Sequence, residues 1–429
     1  MVQLGRAPPS GYHVDLLAHR SWGETPRSRF LIFAGLYFAQ GVPWGFFTIA
    51  LQLRLTKLGL TPGQLGSVMT LAWLPWAAKP LLGPVADRVT FGRFGRRRPF
   101  ILLAEAGMAL SLVLLALVDP GRSLPLFGAC VLLHNVFAAA QDVGVDALAI
   151  DTLSDGERGR ANGLMTAGKY AGMVAGGQGL SMIATSPAGW PVAFAVAVLL
   201  LLLPATLIVR MHEAAAPAAV RPPMLRLLRR SFLTRVVVLA IVFAFIADPS
   251  DALLSPMMFP LFQRRFHYGD QWIATLSTLS ALLGVAGSLA GGALGDRVGR
   301  RRAMFVACLG VAATNLIFAA GQDLWPQRWF VTTLAFAGAI TSGMALTTAV
   351  ALFMDLTNRR LGATQFQVYM SVANLRSSAA MYVGGHLADH TSPAAMFGIA
   401  TVLELIPLAL LPTLDAKAIQ RHFAADDPA

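Results

Sequence analysis

The chain is cut into apolar runs of about twenty residues separated by short polar stretches, and a run of that length crosses a hydrocarbon core of about 30 Å as a helix. Twelve such spans are expected, at 29–56, 64–86, 99–118, 123–150, 161–186, 190–210, 235–262, 271–296, 302–321, 327–354, 363–387 and 391–414. In lipid a spanning segment must satisfy its own backbone hydrogen bonds, so the runs are predicted to be helical. Hydrophobic residues make up 55% of the chain and charged residues only 13%, against about 25% charged in an ordinary soluble domain. A water-soluble fold is excluded, and the expected class is an all-α membrane protein of twelve transmembrane helices.

The basic residues give the orientation, because cytoplasmic loops keep an excess of Lys and Arg. Arg88, Arg93, Arg96, Arg97 and Arg98 lie in the second loop, Arg221, Arg226, Arg229 and Arg230 in the sixth, and Arg297, Arg300, Arg301 and Arg302 in the eighth. Odd-numbered loops carry few: Lys57, Arg122, Arg264 with Arg265, and Arg328. Both termini are therefore expected in the cytoplasm of a bacterial cell, with the protein in the inner membrane. The net charge of +12 follows from this loop pattern and implies no nucleic-acid partner. Residues 1–28 lack the apolar centre of a signal peptide and read as a cytoplasmic tail. Cys130 and Cys308 sit in separate apolar runs without metal-ligand spacing and read as small buried residues.

An internal repeat divides the chain. Gly83-Pro-Val-Ala-Asp87-Arg88 followed by Arg96-Arg97-Arg98 recurs as Gly292-Ala-Leu-Gly-Asp296-Arg297 followed by Arg300-Arg301-Arg302, and Asp151 at the end of the fourth span is echoed by Asp355 at the end of the tenth. Such duplication implies two six-helix bundles, at 29–210 and 235–414, joined by an Ala/Pro/Arg-rich cytoplasmic loop at 211–234 and followed by a cytoplasmic tail at 415–429. Asp87, Arg88, Arg97, Asp151, Asp296 and Arg297 are the candidate members of a cytoplasmic latch that holds the halves together while the outside is open. Topology alone would need the arginines but no Asp or Gly at fixed spacing.

The doubled Gly-x-x-x-Asp-Arg…Arg-Arg-Arg loop is similar to the signature loop of the major facilitator superfamily. A narrower resemblance runs from Gln40-Gly-Val-Pro-Trp44 and Leu74-Pro-Trp-Ala-Ala-Lys-Pro80 through Ala140-Gln-Asp-Val-Gly-Val-Asp-Ala147 and Gly156-Glu-Arg-Gly159 to Ala363-Thr-Gln-Phe366. Together these resemble the AmpG muropeptide permeases and their relatives, which include siderophore importers and acetyl-CoA transporters. Asp146-Ala-Leu-Ala-Ile150 with Arg160-Ala-Asn-Gly163 resembles the siderophore branch as closely. The resemblance implies two bundles of the major facilitator fold moving bulky polar cargo, and in the muropeptide permeases import driven by the proton gradient.

Ionisable residues inside the spans carry the mechanism, since a charge at the bilayer centre costs at least about 2.5–3.5 kcal/mol. Asp142 and Asp146 lie one turn apart on the fourth helix, on the face that holds Asn135. A desolvated carboxylate beside a cation can load and release protons, and Asp142, Asp146 and Asp251 are the candidate proton-coupling groups. Asp146 alternatively pairs with loop arginines at the cytoplasmic mouth, and Asp251, next to Pro249, alternatively caps a kink. The candidate cargo contacts are Gln40, Trp44, Lys79, Asn135, Gln141, Lys169, Tyr170, Asn374 and Arg376. Lys79 either holds an anionic cargo, neutralises Asp142, or snorkels to the interface, and Lys169 with Tyr170 has the same choice. Trp44, Trp73 and Trp76 either stack on a cargo ring or anchor the interface, while Glu105 and Glu404 are expected to pair within their bundles.

The function expected is a proton-coupled importer working by alternating access as a monomer, with protons, a small-molecule cargo and the lipid bilayer as its partners and no cofactor or metal. A muropeptide-like amino sugar is the favoured cargo, with a siderophore or another organic anion as the alternative. A non-transporting scaffold or sensor would gain nothing from buried carboxylates in both halves, and no nucleophile–base pair, metal cluster or nucleotide loop points to an enzyme.

Overall fold

A computed structural model describes residues 23–88, 95–211, 213, 235–357 and 362–414, together with the side chains of all but a few of them. Residues 1–22, 89–94, 358–361 and 415–429, most of the 211–234 loop, and the side chains of Asp87 and Arg88 lie outside the described residues. Every regular element among the described residues is helical, as expected for a chain that must close its backbone hydrogen bonds within each span.

The helices follow one another as α1 (Pro26–Lys57), α2 (62–88), α3 (Arg97–Leu117), α4 (Leu124–Thr152), α5 (155–185), α6 (Gly189–Val209), α7 (Val237–Arg265), α8 (Asp270–Val298), α9 (Arg300–Ala320), α10 (Arg328–Asp355), α11 (Gly362–Ala388) and α12 (Pro393–Thr413). Nine of these are long and apolar enough by themselves to cross a membrane. The other three are α2, α5 and α11, which carry the glycines and polar groups of the Lys79, Lys169 and Arg376 segments. A helix shielded by its neighbours need not be apolar all round. The fifth helix starts at Asp155 and not at 161, because Ser154 and Glu157 form a capping box that begins it earlier than the apolar run.

Several helices depart from regular geometry. α1 and α5 each contain a π-turn, at Phe46–Ala50 and Ala175–Gly179, and α7 has one at Leu261–Arg265, directly after Pro260. α2 is interrupted at Ala78, just before Lys79-Pro80. α7 is broken between Ile246 and Ser250, where Asp248 takes the left-handed backbone conformation at φ 53°, a strain of order 1–3 kcal/mol. α1 and α5 cross with backbones in contact: a Cβ on Gly41 would overlap the Lys169 carbonyl, and one on Gly172 would overlap that of Phe38. Close approach of this kind substitutes for the hydrophobic drive that lipid cannot supply.

The buried apolar clusters differ between the two ends of the molecule. At the arginine-loop end, Ile32, Phe33, Leu148 and Met165 pack within the first half, and Val237, Phe243, Phe353 and Tyr369 within the second. At the opposite end the clusters mix the halves: Ala252 and Met381 join the core around Phe46, Met69 and Phe127, and Ile49 and Leu53 join the core around Met257, Phe262 and Phe318.

Candidate functional site

Polar contacts repeat that asymmetry. Opposite the arginine loops, Asp389 accepts the Gly63 N–H at 3.1 Å and the Thr61 hydroxyl at 3.0 Å, and Thr70 and Ser378 exchange hydrogen bonds at 3.0 and 3.1 Å. Arg264 donates to the carbonyls of Thr56 and Leu60, and Lys57 pairs with Asp270. Gln178 donates to Gln271, which donates to Thr185. Each of these joins the first half to the second. At the arginine end, among the described residues, Arg97 Nε and Arg96 Nη2 reach Asp151 Oδ2 at 3.0 and 3.3 Å, Arg97 Nη1 reaches the Ala86 carbonyl at 3.3 Å, and Arg300 pairs with Asp355, each of these within one half. Asp296 and Arg297 stand exposed there. Among the described residues, the end opposite the arginine loops is thus the one closed by contacts between the halves.

The candidate site lies between these ends. Lys79, placed beside α4 by the interruption of α2, forms an ion pair with the buried Asp142. Its ammonium also lies 5.4 Å from the Trp76 ring. One turn along α4, Asp146 accepts the Tyr37 hydroxyl at 2.5 Å. On α1 and α5, the Trp44 and Tyr170 rings meet edge to face at 5.7 Å, and Lys169 Nζ sits 5.3 Å from the Trp44 ring. From the other half, the Asn374 amide donates to the Trp76 carbonyl at 3.3 Å, linking α11 to α2 at mid-helix. Asp251 is exposed on the first turn after the α7 break, and Arg376 on α11 donates to the Ala247 carbonyl freed by that break.

Gln40, Gln141 and Asn135 stand differently. Gln40 donates to Gln141 at 2.9 Å, Gln141 donates to Glu105 at 3.2 Å, and all three side chains are buried between α1, α3 and α4. Asn135 is buried and donates to the Val131 carbonyl at 2.9 Å, with the Trp76 indole N–H at 3.5 Å from its oxygen. These amides find their partners within the protein and tie α4 to α1, α2 and α3. His134 bonds Ser111 and the Met108 carbonyl in the same buried layer.

The structure adds residues that the sequence reading did not single out. Tyr37 precedes Gln40, Gly41 and Trp44 at helical spacing, so its place on the same face of α1 could have been read. Asp389 and Asp270 gave no such signal, being turn and cap acids whose role depends on which helix of the other half meets them. Glu213 accepts the backbone N–H groups of Arg96, Arg97 and Arg98 at 3.1, 2.8 and 2.9 Å, capping the start of α3 with a charge that suits the helix dipole.

The model of the Major Facilitator Superfamily matches residues 33–381 and 245–422. Among individual relatives, the chain is 26% identical over 373 residues to the anhydromuropeptide permease of Escherichia coli K12, covering 84% of this chain and 73% of that protein. It is 23% identical over 395 residues to transporter AmpG 4 of Rickettsia conorii, covering 87% and 92%. The solved structure of the nucleoside transporter NupG superimposes with a TM-score of 0.72 at 13% identity, over 91% of this chain and all of that one. The chain belongs to the major facilitator superfamily and is a multi-pass membrane transporter, not an enzyme.

Proposed function

We propose that this transporter is a proton-coupled importer of a bulky, polar, anionic organic solute, with an anhydromuropeptide-like amino sugar as the favoured cargo. The observation that carries the coupling is the ion pair of Lys79 and Asp142 inside the span. A carboxylate that is paired holds the ammonium; once protonated, it releases it. Cargo carboxylate and Asp142 therefore compete for Lys79, and a proton on Asp142 makes room for the cargo anion. Proton and cargo then travel together because each removes the charge the other would leave unpaired in a medium where an unpaired ion costs several kcal/mol. Trp44, Tyr170 and Lys169 supply a face and a charge suited to a ring-bearing anion, and Asn374, Asp251 and Arg376 bring polar groups from the second half. Asp146, bonded to Tyr37, is a second group through which the proton can pass.

The arginine loops mark the cytoplasmic side by the charge rule, which puts the closed end outward and makes this an inward-facing arrangement. Both termini then face the cytoplasm and the protein sits as a monomer in the bacterial inner membrane. Similarity to the Escherichia coli permease supports the cargo class. Proteoliposomes given labelled anhydromuropeptide and an inwardly directed proton flux should accumulate it above the external concentration, and collapsing the pH gradient should abolish accumulation. Uptake indifferent to the gradient would overturn the coupling, and competition by siderophores but not muropeptides would move the cargo to the other organic anions.

A further inference from the structure

A cavity of about 250 Å³ opens at the end opposite the arginine loops, where α1, α5, α6 and α8 meet, away from the Lys79–Asp142 pair. Arg54 and Lys57 from α1, Thr185 from α5, Trp190 from α6 and Asp270 from α8 line it. The Arg54 guanidinium lies 5.0 Å from the Trp190 ring and 5.3 Å from that of Phe194, and its Nη1 has no hydrogen-bond partner among the described residues. Among those residues it forms no ion pair either. Asp119, on the turn before α4, is the acid whose charge reaches it, and Asp119 pairs instead with Arg122 at 3.6 Å. Lys57 pairs across the halves with Asp270, whose other oxygen accepts the Gln263 amide at 2.7 Å. Basic residues in the last turn of a helix commonly serve its free carbonyls, but Arg264 from the second half already takes those of Thr56 and Leu60.

From these contacts we infer a second, outer anion site, in which Arg54 and Lys57 hold one acidic group, a phosphate or a carboxylate, beside the Trp190 ring. Two cations line the cavity against one carboxylate, so it carries a net positive charge. A guanidinium held over aromatic rings keeps its N–H fork for an oxyanion, whose paired oxygens it matches. The volume falls below the roughly 300–1,000 Å³ of pockets that enclose a whole ligand, so the site takes the acidic end of a molecule and not a bulky solute entire. That group competes with Asp270 for Lys57, whose side chain is 55% exposed and can turn to it. Occupancy therefore loosens one of the ties that close this end and favours its opening. The outward placement of the site rests on the orientation read from the arginine loops; its chemistry does not.

Inorganic phosphate is the probe, titrated against the full-length protein in nanodiscs of zwitterionic lipid and followed through the broadening of its phosphorus resonance. The wild type should bind it saturably. Arg54→Gln should weaken binding tenfold or more. Asp270→Asn keeps a carbonyl for the Gln263 amide but releases Lys57, so it should tighten binding several-fold, an effect that a purely structural Arg54 would not produce. The double variant Lys79→Met with Asp142→Asn should bind phosphate as the wild type does, which separates this site from the cargo site and from any failure of proton coupling there. Saturating phosphate should also speed thiol labelling of a cysteine at Ser378 several-fold, as the outer end opens. Mass spectrometry of protein released from phosphatidylglycerol nanodiscs gives the source of the acidic group. One lipid kept by the wild type and lost from Arg54→Gln assigns the site to a headgroup, and no lipid kept assigns it to a soluble anion. Absence of saturable phosphate binding to the wild type, which needs no variant to fold, overturns the site. So does equal affinity in Arg54→Gln.

Discussion

The carboxylate of Asp389, just past the end of α11, receives the backbone N–H of Gly63 at 3.1 Å, so an acid from the second half caps the first turn of a helix in the first. A cap of this kind contributes roughly 0.5–2 kcal/mol, and this one exists only while the end opposite the arginine loops is closed. Asp389→Ala should therefore favour opening of that end. A cysteine at Ser378, whose hydroxyl is bonded across the gap to Thr70, should react with an impermeant thiol reagent several-fold faster in the variant. The native Cys130 and Cys308 are buried and free, which keeps the background low. An unchanged labelling rate would mean that the cap does not contribute to closure.

Glycines make the same crossing possible. A Cβ on Gly66 would overlap the Met381 carbonyl, and one on Gly385 would overlap that of Pro62. Gly66→Leu should wedge α2 from α11 and hold the molecule open at that end, since overpacking a fitted contact costs about 1–3 kcal/mol. A shift of that size changes a two-state ratio by roughly 5- to 150-fold. Cargo exchange should fall accordingly while the protein remains folded, as checked by exchange rate and melting temperature on one preparation. Normal exchange would show that closure at this crossing is not part of the cycle.

Arg97 joins the start of α3 to Asp151 at the end of α4 and to the Ala86 carbonyl near the end of α2. These links organise the arginine loop within the first half. Arg97→Ala should slow interconversion of the two halves but leave cargo affinity within about threefold, because the site between α1, α2, α4 and α5 does not touch it. Equilibrium binding and counterflow measured together would show this; loss of binding with an unchanged cycling rate would contradict it.

How far the sequence could be read depended on whether a feature was periodic or positional. Helix limits came from apolar runs whose length is set by the bilayer, and α3, α4, α8 and α10 lie within a few residues of expectation. The partnership of Lys79 with Asp142 was one of three readings of a lysine in an apolar run, and it depends on how α2 meets α4, which no local pattern encodes. Gln40 and Gln141 carried the same polar signal as Lys79, yet they bond each other in a buried layer. Polarity marks residues that need a partner, and it does not say whether that partner is protein or cargo. The π-turns of α1 and α5 depend on packing between distant segments, and Glu404, expected to pair within its bundle, gave no sign that its partner is Ser250.

Asp142 offers the most direct separation of mechanism from scaffold. Asp142→Asn mimics the protonated carboxyl, so Lys79 is freed permanently for the cargo anion. The variant should bind cargo and exchange it across the membrane, because exchange needs no net proton release, but it should not accumulate cargo against a gradient. If Asp142 serves only to neutralise Lys79, the same substitution leaves a buried ammonium unpaired, which costs about 3–5 kcal/mol, and folding itself should suffer. The double variant Lys79→Met with Asp142→Asn resolves the remaining ambiguity. It removes both charges, so a scaffold role predicts recovered folding and recovered cargo binding together. A cargo-binding Lys79 predicts recovered folding with affinity still reduced by tenfold or more, about 1.4 kcal/mol. Thermal stability, cargo affinity and counterflow measured on the wild type and both variants decide between them, and concentrative uptake by Asp142→Asn at the wild-type level would remove Asp142 from the coupling mechanism.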